Sequence, residues 1–71
     1  MSPSDADLRN RFTYHAPKDG QVEKYSLLRV NGLNLARLIV SEVPESREQA
    51  LAMTKLEEAI FWANAGIARN E

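Results

Sequence analysis

The sequence of 71 residues lacks cysteine, so neither disulfide bonds nor thiolate metal sites can stabilise its fold. It has no apolar run near the roughly 18 residues that a membrane-spanning helix needs, and no charged-then-apolar signal peptide at its N-terminus. A chain this short is too small to build a generous core by itself. These absences indicate one small domain, residues 1–71, without a membrane span and compatible with a reducing cytoplasm.

An excess of basic residues is missing as well. The chain has nine Lys and Arg residues and ten Asp and Glu residues, and its formal net charge is -1. Proteins that bind duplex nucleic acid usually carry a clear basic surplus, so we expect no binding to DNA or RNA duplexes. A few well-placed basic side chains could still hold a small anion.

Catalytic signatures are also lacking. His15 is the single histidine, and no serine lies near an evident base, so a nucleophilic triad is not available. Glu57 and Glu58 are adjacent and point about 100° apart on a helix, which argues against a carboxylate pair or metal cluster. The sequence has no Gly-rich phosphate loop. We expect a protein that is not an enzyme, with no catalytic residue, metal or cofactor.

The C-terminal stretch has the strongest helical pattern. Residues 46–70 are rich in Ala, Leu, Glu, Lys and Met, and Ser46 with Gln49 predicts a capping box after Pro44. At about 100° per residue, seven apolar side chains form one stripe: Ala52, Met53, Leu56, Ala59, Ile60, Ala63 and Ile67. Such a stripe needs a partner helix.

A first long helix is predicted over about 21–43, ended by Pro44. Its broad apolar face comprises Val22, Tyr25, Leu28, Leu35, Ala36, Ile39, Val40 and Val43, and Gly32 lies within it. The short turn that follows predicts an antiparallel, all-α hairpin of two helices. Arg29 falls inside the same face by angle, where a guanidinium should meet a carboxylate or a phosphate.

A second apolar patch predicts self-association. Leu51, Trp62 and Ala65 lie well away from the stripe of the second helix, and a lone hairpin has no place to bury them. We therefore expect a homo-oligomer.

The N-terminal arm, residues 1–20, is expected to be mostly non-helical. Residues 2–5 could cap a short helical turn through Leu8 and Arg9, whereas residues 11–20 favour a fixed loop. Phe12 and Tyr14 are two residues apart, which suggests an extended stretch.

Aromatic and basic side chains together favour a binding site. The candidate ligand-binding residues are Tyr14, Arg29, Phe12, His15, Lys24 and Arg69. Aromatic rings can stack on bases and cations can hold phosphates. Each has a structural alternative: packing for Phe12, a staple between elements for Tyr14, a loop hydrogen bond for His15, solvation for Lys24, an intersubunit ion pair for Arg29, and helix capping for Arg69.

Three segments resemble a known phage family: R-F-x-Y-H-x-P at 11–17, S-R-E-x-x-L-A-x-T-K-L-E-E-A at 46–59, and W-A-N-A-x-I-A-R-N at 62–70. The family is that of the anti-CBASS sponges, small hairpin proteins related to the anti-Thoeris sponges. The resemblance implies a homohexamer that sequesters cyclic dinucleotides without cleaving them, in the cytoplasm of the phage-infected bacterium. A structural or adaptor hairpin that binds another protein is the alternative.

The resemblance also implies roles for single residues. Tyr14 matches a tyrosine that stacks on a base, and Arg29 stands where one branch of the family has a phosphate-binding lysine. Some members bind cyclic trinucleotides through an arginine near the end of the last helix. Arg69 could match it, although Ala65 can hold the equivalent place.

Overall fold

Residues 2–71 of the computed structural model form three α-helices and no strand. Helix α1 spans Asp5–Phe12, α2 spans Gln21–Glu42 and α3 spans Arg47–Asn70. The predicted all-α class is confirmed, and α2 and α3 pack on each other as a helical hairpin. Within this described part of the chain, no helix is long and apolar enough to cross a membrane.

The register of the hairpin is fixed along its whole length. Three contacts mark it: Gln21 with Glu71, Gly32 with Ile60, and Val43 with Gln49. Successive contacts are eleven residues apart on both helices, which is about three turns at 3.6 residues per turn. The two helices therefore keep the same faces together from the end where α2 begins and α3 finishes to the turn between them.

Helix α1 is longer than the predicted helical turn. The hydroxyl of Ser4 accepts a hydrogen bond from the backbone N–H of Asp7 at 3.1 Å, and the Asp7 carboxylate accepts one from the Ser4 N–H at 3.3 Å. This capping box and an ion pair of 2.9 Å between Arg9 and Asp5 support eight helical residues. The prediction of a loop from residue 11 is wrong at Arg11 and Phe12, because both continue α1.

The start of α3 differs from the predicted capping box. The Ser46 hydroxyl accepts the backbone N–H of Gln49 at 3.1 Å, as expected for an N-cap. The Gln49 side chain does not return to Ser46; its amide donates to the carbonyl of Val43 at 2.9 Å. Only the Ser46 half of the capping box forms, and the Gln49 side chain instead closes the turn between the two long helices.

The hairpin is a flat layer without a core. With α1 and the connection to α2 included, the described chain measures 45 × 34 × 13 Å, so it is about one helix diameter thick. Its radius of gyration is 15.6 Å, against about 11 Å for a compact domain of this length. Among residues 2–71, no hydrophobic side chain is buried. Because a stable domain needs at least two packed layers, both faces of this layer lack a partner.

The predicted contact face is right for α3 and partly wrong for α2. All seven residues of the predicted α3 stripe except Ala59 are half-buried. On α2, only Tyr25, Leu28, Ala36 and Ile39 of the predicted face are half-buried, and Val22, Leu35, Val40 and Val43 are exposed. The side of α2 that meets α3 includes Gly32, which lies within the predicted face, and Gln21, which lies outside it; their contacts with α3 set the rotation of the helix.

Candidate functional site

An open groove of about 420 Å³ runs along one face of the hairpin between α2 and α3. Its lining side chains are mostly apolar and come from both helices: Arg29, Gly32, Leu33, Ala36, Met53, Thr54, Leu56, Glu57, Ile60 and Phe61. Gly32 has no side chain, which lets α2 approach Ile60 and leaves the groove open above the contact. Its volume is within the range of small-molecule sites.

Arg29 provides the positive charge of this groove. Its guanidinium donates one hydrogen bond of 3.4 Å to the hydroxyl of Ser26, and within residues 2–71 it forms no ion pair. The expectation that Arg29 is buried in the apolar face is wrong for the single chain, since Arg29 is exposed and its neighbour Val22 is too. Its remaining N–H donors can meet an anion bound in the groove.

The groove also contains residues that the sequence pattern did not single out as ligand-binding. Glu57 lines it from α3, with Thr54 one turn earlier and Phe61 one turn later. Spacing alone could have found Glu57, because it lies four residues after Met53 and three before Ile60, on the edge of the predicted stripe.

The aromatic side chains of the arm extend into solvent. Phe12, at the end of α1, is 84% exposed, and Tyr14, in the connection between α1 and α2, is 83% exposed. Thr13 between them has an extended backbone, with φ -113° and ψ 142°. Neither ring lines the groove of the same chain. Most of each side chain is therefore accessible to a stacking partner.

His15 holds the arm to α1. It is half-buried, and its Nε2 lies 2.7 Å from the backbone carbonyl of Asn10. This contact occupies one ring nitrogen and positions the residues next to Tyr14. It agrees with the structural alternative for His15, a loop hydrogen bond.

Lys24 is engaged in an ionic cluster at the end of the hairpin where α2 begins and α3 finishes, which is also the end that the arm contacts. Its ammonium pairs with the carboxylate of Glu71, and the ammonium of Lys18 donates to the backbone oxygen of Glu71. Gln21, only 3% exposed, accepts the Lys18 N–H at 2.9 Å and donates to Glu71 at 3.3 Å. Hydrogen bonds from Lys24 and then Gln21, with the charges of Lys24 and Lys18, lower the pKa of the Glu71 carboxyl below 4.5.

Arg69 lies near the same end of the hairpin. It is half-buried, and its backbone carbonyl accepts a hydrogen bond of 3.4 Å from the side chain of Asn10, which ties α1 to α3. The side-chain oxygen of Asn64, one and a half turns earlier, is buried without a hydrogen-bond partner.

The candidate residues therefore lie in three separate places. Arg29 is in the groove, Lys24 and Arg69 are near the end of α3, and Phe12, Tyr14 and His15 are on the arm. Tyr14 and Arg29 share no hydrogen bond in the described chain. The groove can accept a flat, partly apolar molecule with an anionic group.

Comparison with protein families gives one match. The family model described as Acb2/Tad1, hairpin domain, matches residues 4–68, which include all three helices except the last two residues of α3. Searches of curated proteins and of solved structures gave no match.

Proposed function

The chain belongs to the Acb2/Tad1 hairpin-domain family of anti-CBASS and anti-Thoeris sponges, and we propose on that premise that it binds and sequesters cyclic oligonucleotide second messengers. Cyclic dinucleotides are the foremost ligands, and they are held without being cleaved. Sequestration in the cytoplasm of the infected bacterium would keep the messenger from its effector and so block an anti-phage signalling system.

One observation carries this proposal: Arg29 lines a mostly apolar groove, and its guanidinium forms no ion pair among residues 2–71. A cyclic dinucleotide presents two bases and two phosphates. The apolar walls suit a base, and the guanidinium suits a phosphate through paired hydrogen bonds. Arginine in place of the lysine of one family branch keeps the charge and changes the geometry of phosphate binding.

The complete pocket is proposed to form between two chains. Tyr14 does not reach the groove of its own chain, and its ring is free to stack on a base held in the groove of a neighbour. A site on a two-fold axis would supply each group twice, which suits a ligand with its own near two-fold symmetry. The flat hairpin, without a buried apolar side chain, supports assembly into the homohexamer that the family pattern implies.

A thermal-shift titration tests the function directly. A ligand that binds only the folded protein raises its melting temperature in proportion to the logarithm of its concentration. We expect cyclic dinucleotides to raise it by several degrees and linear dinucleotides of the same bases to raise it much less. An adaptor hairpin that binds another protein would show no shift with either, and that result would contradict the proposal.

Absence of turnover needs its own measurement. We expect a cyclic dinucleotide incubated with excess protein to be recovered intact after the protein is denatured. Linear dinucleotide or mononucleotide that accumulates in proportion to the protein concentration would instead indicate an enzyme.

A further inference from the structure

Arg29 and Glu57 face the same groove from opposite helices without pairing with each other. Arg29 lies on α2 and Glu57 on α3, and neither belongs to an ion pair among residues 2–71. The next residue of α3 behaves differently, because the Glu58 carboxylate lies 3.6 Å from the ammonium of Lys55. Opposite charges that line one groove and remain unpaired can each contact a different part of a ligand.

A carboxylate discriminates between nucleobases by their hydrogen-bonding edges. It only accepts hydrogen bonds, and it can accept two at once. Guanine presents adjacent N1–H and N2–H donors on its Watson–Crick edge, which match both carboxylate oxygens. Adenine presents one amino donor beside the N1 acceptor, and the lone pair of N1 faces a carboxylate unfavourably.

We propose that Glu57 selects the base of the bound ligand by accepting hydrogen bonds from the Watson–Crick edge of guanine. Guanine-containing cyclic dinucleotides are then preferred over those that contain only adenine. The inference rests on the proposed function, with the phosphate held by Arg29. Phe61, one turn after Glu57 on the same groove wall, gives the base a ring to lie against.

The partial desolvation of the groove strengthens this discrimination. Leu33, Met53 and Ile60 line the same groove as the two charged groups, and a bound base would displace water from it. When the bound base has no donor opposite the carboxylate, the carboxylate loses the hydrogen bonds that it accepted from water before binding, and nothing replaces them. Substrate discrimination by a missing hydrogen-bond partner is large for this reason.

Calorimetric titration with two probes, cyclic di-guanylate and cyclic di-adenylate, tests the inference. We expect the wild-type protein to bind cyclic di-guanylate more tightly by about tenfold or more, since a matched bidentate contact discriminates by that order. Glu57→Gln should bring the ratio of the two affinities near one or reverse it, because an amide can both donate to and accept from adenine. Glu58→Gln, one residue away and outside the groove, should keep the wild-type ratio.

The outcomes separate the two proposals. Binding of both probes with equal affinity, or a ratio that Glu57→Gln leaves unchanged, overturns the role of Glu57 while the sponge function stands. No binding of either probe overturns the function itself. Light scattering on the same samples tests whether Glu57 instead supports the assembly of the protein. A Glu57→Gln protein that dissociates while the ratio of its two affinities stays at the wild-type value also overturns base selection.

Discussion

A Cβ atom on residue 32 would lie 3.1 Å from both Cδ1 and Cγ1 of Ile60, so Gly32 marks a close approach between α2 and α3. A contact of that length requires the neighbouring side chain to move by a few tenths of an ångström. The contact lies halfway along the hairpin and at the floor of the groove. Packing of the hairpin and access to the proposed site therefore depend on the same glycine.

Two glycine substitutions measure this contact. Gly66→Ala should stabilise the protein by up to about 1 kcal/mol through helix propensity, because nothing lies within 4 Å of the added Cβ. Gly32→Ala should stabilise it less or destabilise it, since the same gain is offset by the displacement of Ile60. Urea unfolding at one fixed protein concentration gives both values.

A second substitution at the contact tests its cause. In an Ile60→Val background, which removes Cδ1, the loss of stability that the Gly32→Ala contact causes should be smaller. Equal stabilisation by both alanines in the wild-type background would show that Ile60 gives way without cost.

Removal of the stacking ring or of the guanidinium should weaken the proposed ligand binding. A base stacked on an aromatic ring contributes about 1–3 kcal/mol, and a hydrogen bond to a charged group about 1.5–3 kcal/mol. Because one substitution changes both subunits of a two-fold site, Tyr14→Ala and Arg29→Ala should each lower affinity for cyclic dinucleotides by about 100-fold or more. Isothermal titration calorimetry measures both losses.

Conservative variants separate binding from assembly. Tyr14→Phe keeps the ring and should cost much less than Tyr14→Ala. Arg29→Lys keeps the charge and should retain more affinity than Arg29→Ala. If Arg29 serves an ion pair between subunits instead, Arg29→Ala should dissociate the oligomer. An intact Arg29→Ala oligomer with undiminished affinity would exclude a phosphate contact.

The helical class could be predicted from sequence because the boundaries of the two long helices have clear sequence signals. Pro44 separates two long stretches of good helix formers, and Ser46 caps the second. The end of α1 could not be predicted, because Phe12 and Tyr14 suggest an extended stretch, whereas the Ser4–Asp7 capping box and the Asp5–Arg9 pair carry the helix through Phe12.

The face of α2 could be predicted only in part, because apolar residues occur on nearly all its sides. Val30, Leu33 and Leu38 are exposed as well as Leu35 and Val40. A helical wheel cannot distinguish the face that meets α3 from a face that meets another chain. The contacts of Gln21 with the end of α3 decide the rotation of α2 about its axis. A buried polar residue carries little sequence signal, and the N-cap residue before it, Gly20, makes no side-chain capping bond.

The Glu71 cluster should make stability depend on pH. The pKa of Glu71 is lowered in the folded chain, so its contribution is present above its ordinary value of 4.5 and is lost as the pH falls through the lowered pKa. The wild-type protein should therefore lose more stability than Glu71→Gln as the pH falls below 4.5. Urea midpoints of both proteins, measured from about pH 7 downward, give the difference.

A double-mutant cycle identifies the partner of Glu71. Lys24→Gln should destabilise the wild-type protein and have little further effect in the Glu71→Gln background, because the pair is already broken. Additive effects of the two substitutions would mean that the carboxylate acts through Lys18 and Gln21 rather than through Lys24.

Exposed apolar side chains away from the hairpin contact should hold the oligomer together. Trp62 is 68% exposed in the single chain, and Leu51 lies on the same patch, as the sequence pattern indicated.

A glutamate buried in a subunit interface without a cation is strongly unfavourable. Trp62→Glu should therefore shift the protein from the proposed hexamer to smaller species at micromolar concentration, as measured by multi-angle light scattering. Asn34→Glu adds the same charge on the exposed face of α2 that also carries Leu27 and Leu38, and it should leave the mass unchanged if the interface is at Trp62. A wild-type protein that scatters as a monomer would contradict the assembly outright. A hexamer that persists in Trp62→Glu but dissociates in Asn34→Glu would place the interface on the exposed face of α2 that carries Leu27 and Leu38.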